Sequence, residues 1–102
     1  MARLIACYRQ PTDTAAFDEH YKSVHIPLAR SIPGLRSYEI SSGAIGSLTG
    51  PAPYYLMATL TFDSMRAIED GLASPEGKAT AQDLGNFAQA GVDLLTFDTK
   101  LV

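Results

Sequence analysis

The chain has 102 residues, enough for one domain spanning 1–102 with a single modest core. Apolar residues make up 46% and charged residues 19%, a globular rather than a disordered composition. A net charge of -3, with eight Lys and Arg scattered singly, argues against a nucleic-acid or membrane-surface partner. One cysteine, Cys7, allows neither an internal disulfide nor a Cys-based zinc site. The N-terminus carries no signal-peptide pattern and no stretch is long enough to span a bilayer, so a cytoplasmic location is expected.

The first run, Arg3 to Arg9, is apolar on both alternating sets and predicts a strand covered on two faces. Leu4, Ala6 and Tyr8 point one way; Ile5 and Cys7 point the other. Pro11 ends it. Asp13 is placed to cap a helix, and Phe17, Tyr21, Val24 and Leu28 trace one helical face. Pro27 lacks the donor for an internal helical bond and its ring opposes the Ser23 carbonyl. It also disfavours helical geometry at Ile26. A break near Val24 to Ile26 is therefore expected, followed by a short turn from Pro27 to Ser31.

After Pro33 and Gly34, the run Leu35 to Ser42 alternates, with Tyr38 and Ile40 sharing a face. The stretch Gly43 to Pro53 is rich in Gly and Pro and reads as a long loop. Tyr54 to Phe62 is the strongest strand signal. Asp63 or Ser64 caps a helix over Met65 to Leu72. Ser74 and Pro75 open another that runs to about Leu84. Val92 to Leu101 is the last strand. The order β-α-β-β-α-β predicts an α+β fold of ferredoxin-like type, with both helical layers on one face of a four-stranded antiparallel sheet. Helices cover only one face, yet three strands are apolar on both. A homodimer packed sheet against sheet by two-fold symmetry resolves this.

Several residues are now of interest together. The run Phe17, His20, Tyr21, His25-Ile26-Pro27-Leu28-Ala29 and Ile32-Pro33-Gly34-Leu35 resembles the motif of the EthD family. So does Ser74-Pro75-Glu76-Gly77, followed by Asp83, Phe87 and Ala88. The resemblance covers essentially the whole chain. It implies the dimeric α+β barrel of ferredoxin-like protomers and a small-molecule pocket. The family takes its name from a gene cluster for degradation of an alkyl ether. It is similar to methylmuconolactone isomerases and to tailoring enzymes of aromatic polyketides.

The resemblance puts a pocket histidine at His25, as general acid/base or substrate donor; the plainer reading is a packed histidine with a backbone partner. An ordinary imidazole pKa of about 6.5 suits proton transfer at neutral pH. In the isomerase relatives a tyrosine at a matching distance lines the pocket, which points to Tyr38; the plainer reading is a packed tyrosine. Tyr8, His20, Met57, Asp83 and Phe87 are the remaining candidates for substrate binding. His20 lies about 140° round an ideal helix from His25, so the two make no chelating pair, and no metal site is expected. The bland reading of Asp83 is a solvated helix residue, and that of Tyr21, Met57 and Phe87 is core. Cys7 has nothing beside it to lower its thiol pKa.

Phosphate-binding glycine loops and nucleophile elbows are absent from the sequence. The expected activity is cofactor-independent proton transfer, as in isomerisation, lactone rearrangement or decarboxylation, on a small oxygenated organic compound. The alternative is a non-catalytic accessory or ligand-carrier protein for a neighbouring oxygenase.

Overall fold

The computed structural model describes residues 1–102. Four strands form one antiparallel sheet: β1 (Ala2–Arg9), β2 (Ser37–Ile40), β3 (Tyr54–Phe62) and β4 (Val92–Asp98). They lie in the order β2-β3-β1-β4. The fold is therefore the ferredoxin-like one expected from the sequence. Its helices are α1 (Thr14–His20), α2 (Ile26–Arg30), α3 (Met65–Ala73) and α4 (Pro75–Phe87). No helix is long and apolar enough to cross a membrane.

Strand alternation sorts the side chains. Ala2, Leu4, Ala6 and Tyr8 of β1 are buried beneath the helices with Ala58, Leu60 and Phe62 of β3. The opposite face carries Ile5, Cys7, Met57, Leu95 and Phe97, with Cys7 set against Met57 and Ile5 against Leu95. Leu95 and Phe97 are about half exposed there, at 54% and 45%. The β4 edge is also open on the helix side, where Leu94 is 52% exposed. The register of β1 and β3 slips at Tyr8 and Arg9, where Tyr54 rather than Tyr55 opposes Arg9. Tyr55 packs edge-on against Phe17 and bonds Asp18.

Caps fall where short polar residues precede the helices. Asp13 accepts from the Ala16 amide, Ser64 from Ala67 and Ser74 from Gly77. Pro75 occupies the first turn of α4, where its missing N–H costs nothing. That helix continues through Phe87, three residues past the expected stop at Leu84. Gly85 sits in its interior with open space around it, so it does not end the helix.

The expected break before Pro27 is not a break. Between α1 and α2 the chain makes a π-helical turn, Tyr21–His25, and the axis continues. The amide of Ile26 bonds the carbonyl of Tyr21, five residues back. Ile26 stays helical, at φ -57 and ψ -49, despite the proline after it. A π turn is wider than an α turn, which relieves the opposition of the proline ring and the preceding turn.

Candidate functional site

The π turn decides where the histidines point. In an α-helix, residues five apart diverge by about 140°. A turn closed by a five-residue bond brings them toward one face. His20 and His25 both turn onto α4, where Asp83 lies between them. His25 Nδ1 is 2.9 Å from Asp83 Oδ2, and His20 Nε2 is 2.8 Å from Asp83 Oδ1. Asn86 Nδ2 donates to the same Oδ1 at 3.1 Å. A carboxylate only accepts, so both imidazole nitrogens donate to it.

Asp83 is thus neither a solvated residue nor a lining residue. It is 5% exposed and stands behind His25. Burial opposes its charge, but bonds from Asn86, His25 and His20 outweigh that and hold the carboxyl below its ordinary value. For His25, burial lowers the pKa; the bond to Asp83 opposes this without cancelling it. The ring is therefore neutral at pH 7. Its Nδ1 proton is committed to Asp83, so Nε2 holds the free lone pair. That nitrogen faces the Tyr8 hydroxyl at a long 3.4 Å.

His25 lines a cavity of about 220 Å³ between the sheet and the helices. Twelve of its sixteen lining residues are hydrophobic, and none is Lys, Arg, Asp or Glu. Leu4, Ala58 and Leu60 form its floor, and Leu84 its helical wall. Leu72 and Leu94, both partly exposed, mark the mouth beside β4. Tyr8 and Tyr38 also line it. The two residues singled out first, His25 and Tyr38, therefore share one cavity.

The tyrosines form a second polar group in this apolar setting. The hydroxyls of Tyr21 and Tyr38 lie 2.5 Å apart. Burial raises the pKa of Tyr21, and the interaction with Tyr38 raises it further. Burial raises that of Tyr38, with the Tyr21 bond acting the other way. Either hydroxyl can donate in this pair. Tyr8 is also raised, chiefly by burial, and stays protonated.

The other candidates fall elsewhere. Met57 opposes Cys7 on the far face of the sheet; its neighbour Ala58 lines the cavity instead. The two-residue period of a strand puts Met57 outside this cavity. Phe87 does not line the cavity either. It packs against both imidazoles, with centroids 5.0 Å from His20 and 4.8 Å from His25. His20 opens on a separate surface groove with Phe17, Asn86 and Phe87. No group of three or more His, Cys, Asp or Glu is arranged to hold a metal ion. The Cys7 thiol is buried and its pKa raised, first by burial and then by Asp93.

Asn86 was missed by sequence reasoning, and Tyr21, read as core, is core but also brings its hydroxyl to Tyr38. Tyr21 sits in an apolar stripe, where the ring explains its presence and nothing signals the hydroxyl. Asn86 follows Asp83 at the helical spacing of three, a pattern visible only once α4 is known to extend through Phe87.

The EthD domain model matches residues 9–91. The chain is 42% identical, over all of its length and 98% of the relative's, to an 11.0 kDa protein of the thcB-thcC intergenic region of Rhodococcus erythropolis. It is 38% identical to an ethyl tert-butyl ether d (EthD) family protein of Bacillus halodurans. That crystal structure superposes with a TM-score of 0.88 over 98% of this chain and 99% of the other. A dimeric ferredoxin-like protein of Thermobifida fusca is 18% identical, with a TM-score of 0.71 over 96% and 90% of the two chains, and shares the fold.

Proposed function

This chain belongs to the EthD family, and from that premise we propose that it binds a small, neutral, oxygenated organic compound between His25 and Tyr38 and moves a proton on it. The observation that carries the reading is the buried His25. Its Nδ1 is tied to Asp83 and its Nε2 faces the tyrosine-lined cavity. A neutral imidazole so held is a general base, and the carboxylate behind it stabilises the imidazolium that forms.

The step follows from the donors present. His25 Nε2 takes a proton from a carbon next to a carbonyl. The electron pair of that C–H bond moves onto the carbonyl oxygen. The Tyr38 or Tyr8 hydroxyl donates to the developing oxyanion. Return of the proton from Nε2 to a different carbon gives an isomer, and the enzyme is regenerated. The side chains of the protein are the only acid and base this requires.

The cavity also restricts the ligand. No cation lines it, His25 is neutral, and Asp83 adds a negative charge behind the wall. A carboxylate would be desolvated without a partner, which is strongly unfavourable. At about 220 Å³ the cavity falls below the range of drug-sized pockets, so the ligand is compact.

Deuterium exchange at the carbons beside the carbonyl of cyclohexanone and small lactones, followed by proton NMR, tests the reading. The wild-type protein should accelerate exchange and His25→Gln should abolish the acceleration. Equal rates in the two proteins would remove His25 as the base. Saturable binding without exchange would instead support a ligand carrier. Cyclohexanecarboxylate should bind at least roughly tenfold more weakly than a neutral ketone of the same size.

We place this site in a homodimer. The half-exposed Leu95 and Phe97 lie beside Ile5 and Met57 on the uncovered sheet face, a patch that suits a second copy related by two-fold symmetry. Sedimentation at micromolar concentration should give twice the 10.9 kDa chain mass, and a monomer would refute it. The single buried thiol suits a cytoplasmic setting.

A further inference from the structure

The wall that His25 presents to the cavity has a second side. There His20 faces a groove of about 440 Å³ bounded by Pro11, Asp13, Phe17, Asn86 and Gln89. The His20 side chain is 26% exposed, whereas those of His25 and Asp83 are 5% exposed. One buried carboxylate therefore joins a histidine open to solvent and a histidine closed in the cavity. Each imidazole holds its own oxygen of Asp83, at 2.8 and 2.9 Å. Phe87 packs on both rings, which keeps water out of the space between them.

One negative charge cannot fully balance two imidazolium ions in a buried site. We infer that His20 is a positioning residue for His25: through the shared Asp83 carboxylate, the charge of the outer histidine governs whether the inner one takes up a proton. With His20 neutral, Asp83 is free to stabilise a charged His25, and the cavity base is strong. With His20 protonated, the carboxylate is already balanced, and His25 stays neutral. The groove thus gives solvent a handle on the cavity base. This fits the lowering that His20 exerts on His25 beside the larger effect of burial.

The other titratable groups facing His25 are Tyr8 from β1, Tyr21 from its own helix, Tyr38 from β2 and Asp83 from α4. The three phenols stay protonated and add no charge. Asp13 is the carboxylate across the groove from His20. Of all these, Asp83 alone touches both imidazoles.

This inference deepens the role proposed for His25, and its test needs neither ligand nor turnover. The two can therefore fail separately: absence of exchange leaves the coupling standing, and absence of coupling leaves the cavity and its ligand standing. The experiment is a pH titration of the imidazole nitrogens by long-range proton–nitrogen NMR on the intact protein. The midpoint of wild-type His25 should lie below the ordinary imidazole value of about 6.5. His20→Gln keeps an N–H for Asp83 but removes the charge. It should raise the His25 midpoint by at least about half a pH unit. Asp83→Asn should move the midpoint the opposite way. A merely structural His20 would leave the His25 midpoint unchanged in His20→Gln. A wild-type His25 midpoint at or above the ordinary imidazole value of about 6.5, which needs no variant to fold, would overturn the inference. So would a midpoint that does not move in His20→Gln.

Discussion

Replacing Asp83 with Ala offers the most direct measure of how the site is built. The carboxylate receives His25 Nδ1, His20 Nε2 and Asn86 Nδ2 at 2.9, 2.8 and 3.1 Å. In the variant, His20 and Asn86 turn toward the surface groove and find water. His25 cannot, because it is 4% exposed and walled by Phe87 and Tyr21. Stranding one buried donor costs about 1–3 kcal/mol, and losing two partly wet charge-assisted bonds adds about 1–2 kcal/mol more. Release of a buried carboxylate from its desolvation offsets part of this. The net expectation is a loss of about 2–4 kcal/mol. For a domain of this size that lowers Tm by roughly 10–25 °C. Urea and thermal melts at pH 7 measure it. Asp83→Asn, which retains one acceptor, should lose about half as much. A double-mutant cycle with His25→Gln should show coupling above about 1 kcal/mol. A loss under about 0.5 kcal/mol for Asp83→Ala, or additive single variants, would refute the account of a buried carboxylate that supports His25.

Two further outcomes follow from the same packing. Stability should fall in mild acid: an unfolded histidine binds a proton near pH 6.5, while burial keeps the folded His25 pKa below that value. Between those two values the unfolded state binds more protons, so stability drops as pH falls below about 6.5. Asp83, held low, adds a loss of the same sign below about pH 3.9. Thermal melts from pH 7 to 5 should show the first effect, His25→Gln should flatten it, and a flat wild-type profile would refute it. Gly77→Ala should destabilise by about 3 kcal/mol or more, because its Cβ would lie 2.1 Å from the Gly71 carbonyl and 2.6 Å from Leu72 Cα. Both are backbone atoms at the tight corner between α3 and α4, and a melt within about 1 kcal/mol of wild type would show that the corner relaxes.

The fold was legible because its signals are local and periodic. Two-residue alternation placed the strands. Asp13, Ser64 and Ser74 marked helix starts, and Pro75 confirmed the last. The β-α-β-β-α-β order leaves few topologies. Helix ends were less clear: Gly85 suggests a stop, but Phe87 gains enough by packing on Tyr8, Phe17 and Tyr21 to carry α4 past it. The site was half legible. His25 and Tyr38 came from motif order, and the cavity brings them together. The joint contacts of Asp83 with His25 and His20 were hidden, since they span 58 and 63 positions in the chain. Met57 lies on the face away from this cavity, and an apolar strand residue carries no mark of the face it occupies.

The error at Pro27 is the instructive one. Sequence rules treat a proline inside a helical pattern as an interruption, and an interruption would separate His20 from His25. The chain answers the same steric conflict by widening one turn. The missing proline N–H and the opposed Ser23 carbonyl are accommodated where the Ile26 amide reaches back to Tyr21. That local adjustment has a distant effect. It converts a five-residue spacing, useless for a joint site on an α-helix, into two imidazoles that meet one carboxylate. The proline that seemed to end the helix thus belongs to the device that aims both histidines at Asp83, leaving one on the cavity side of the wall and the other in the groove.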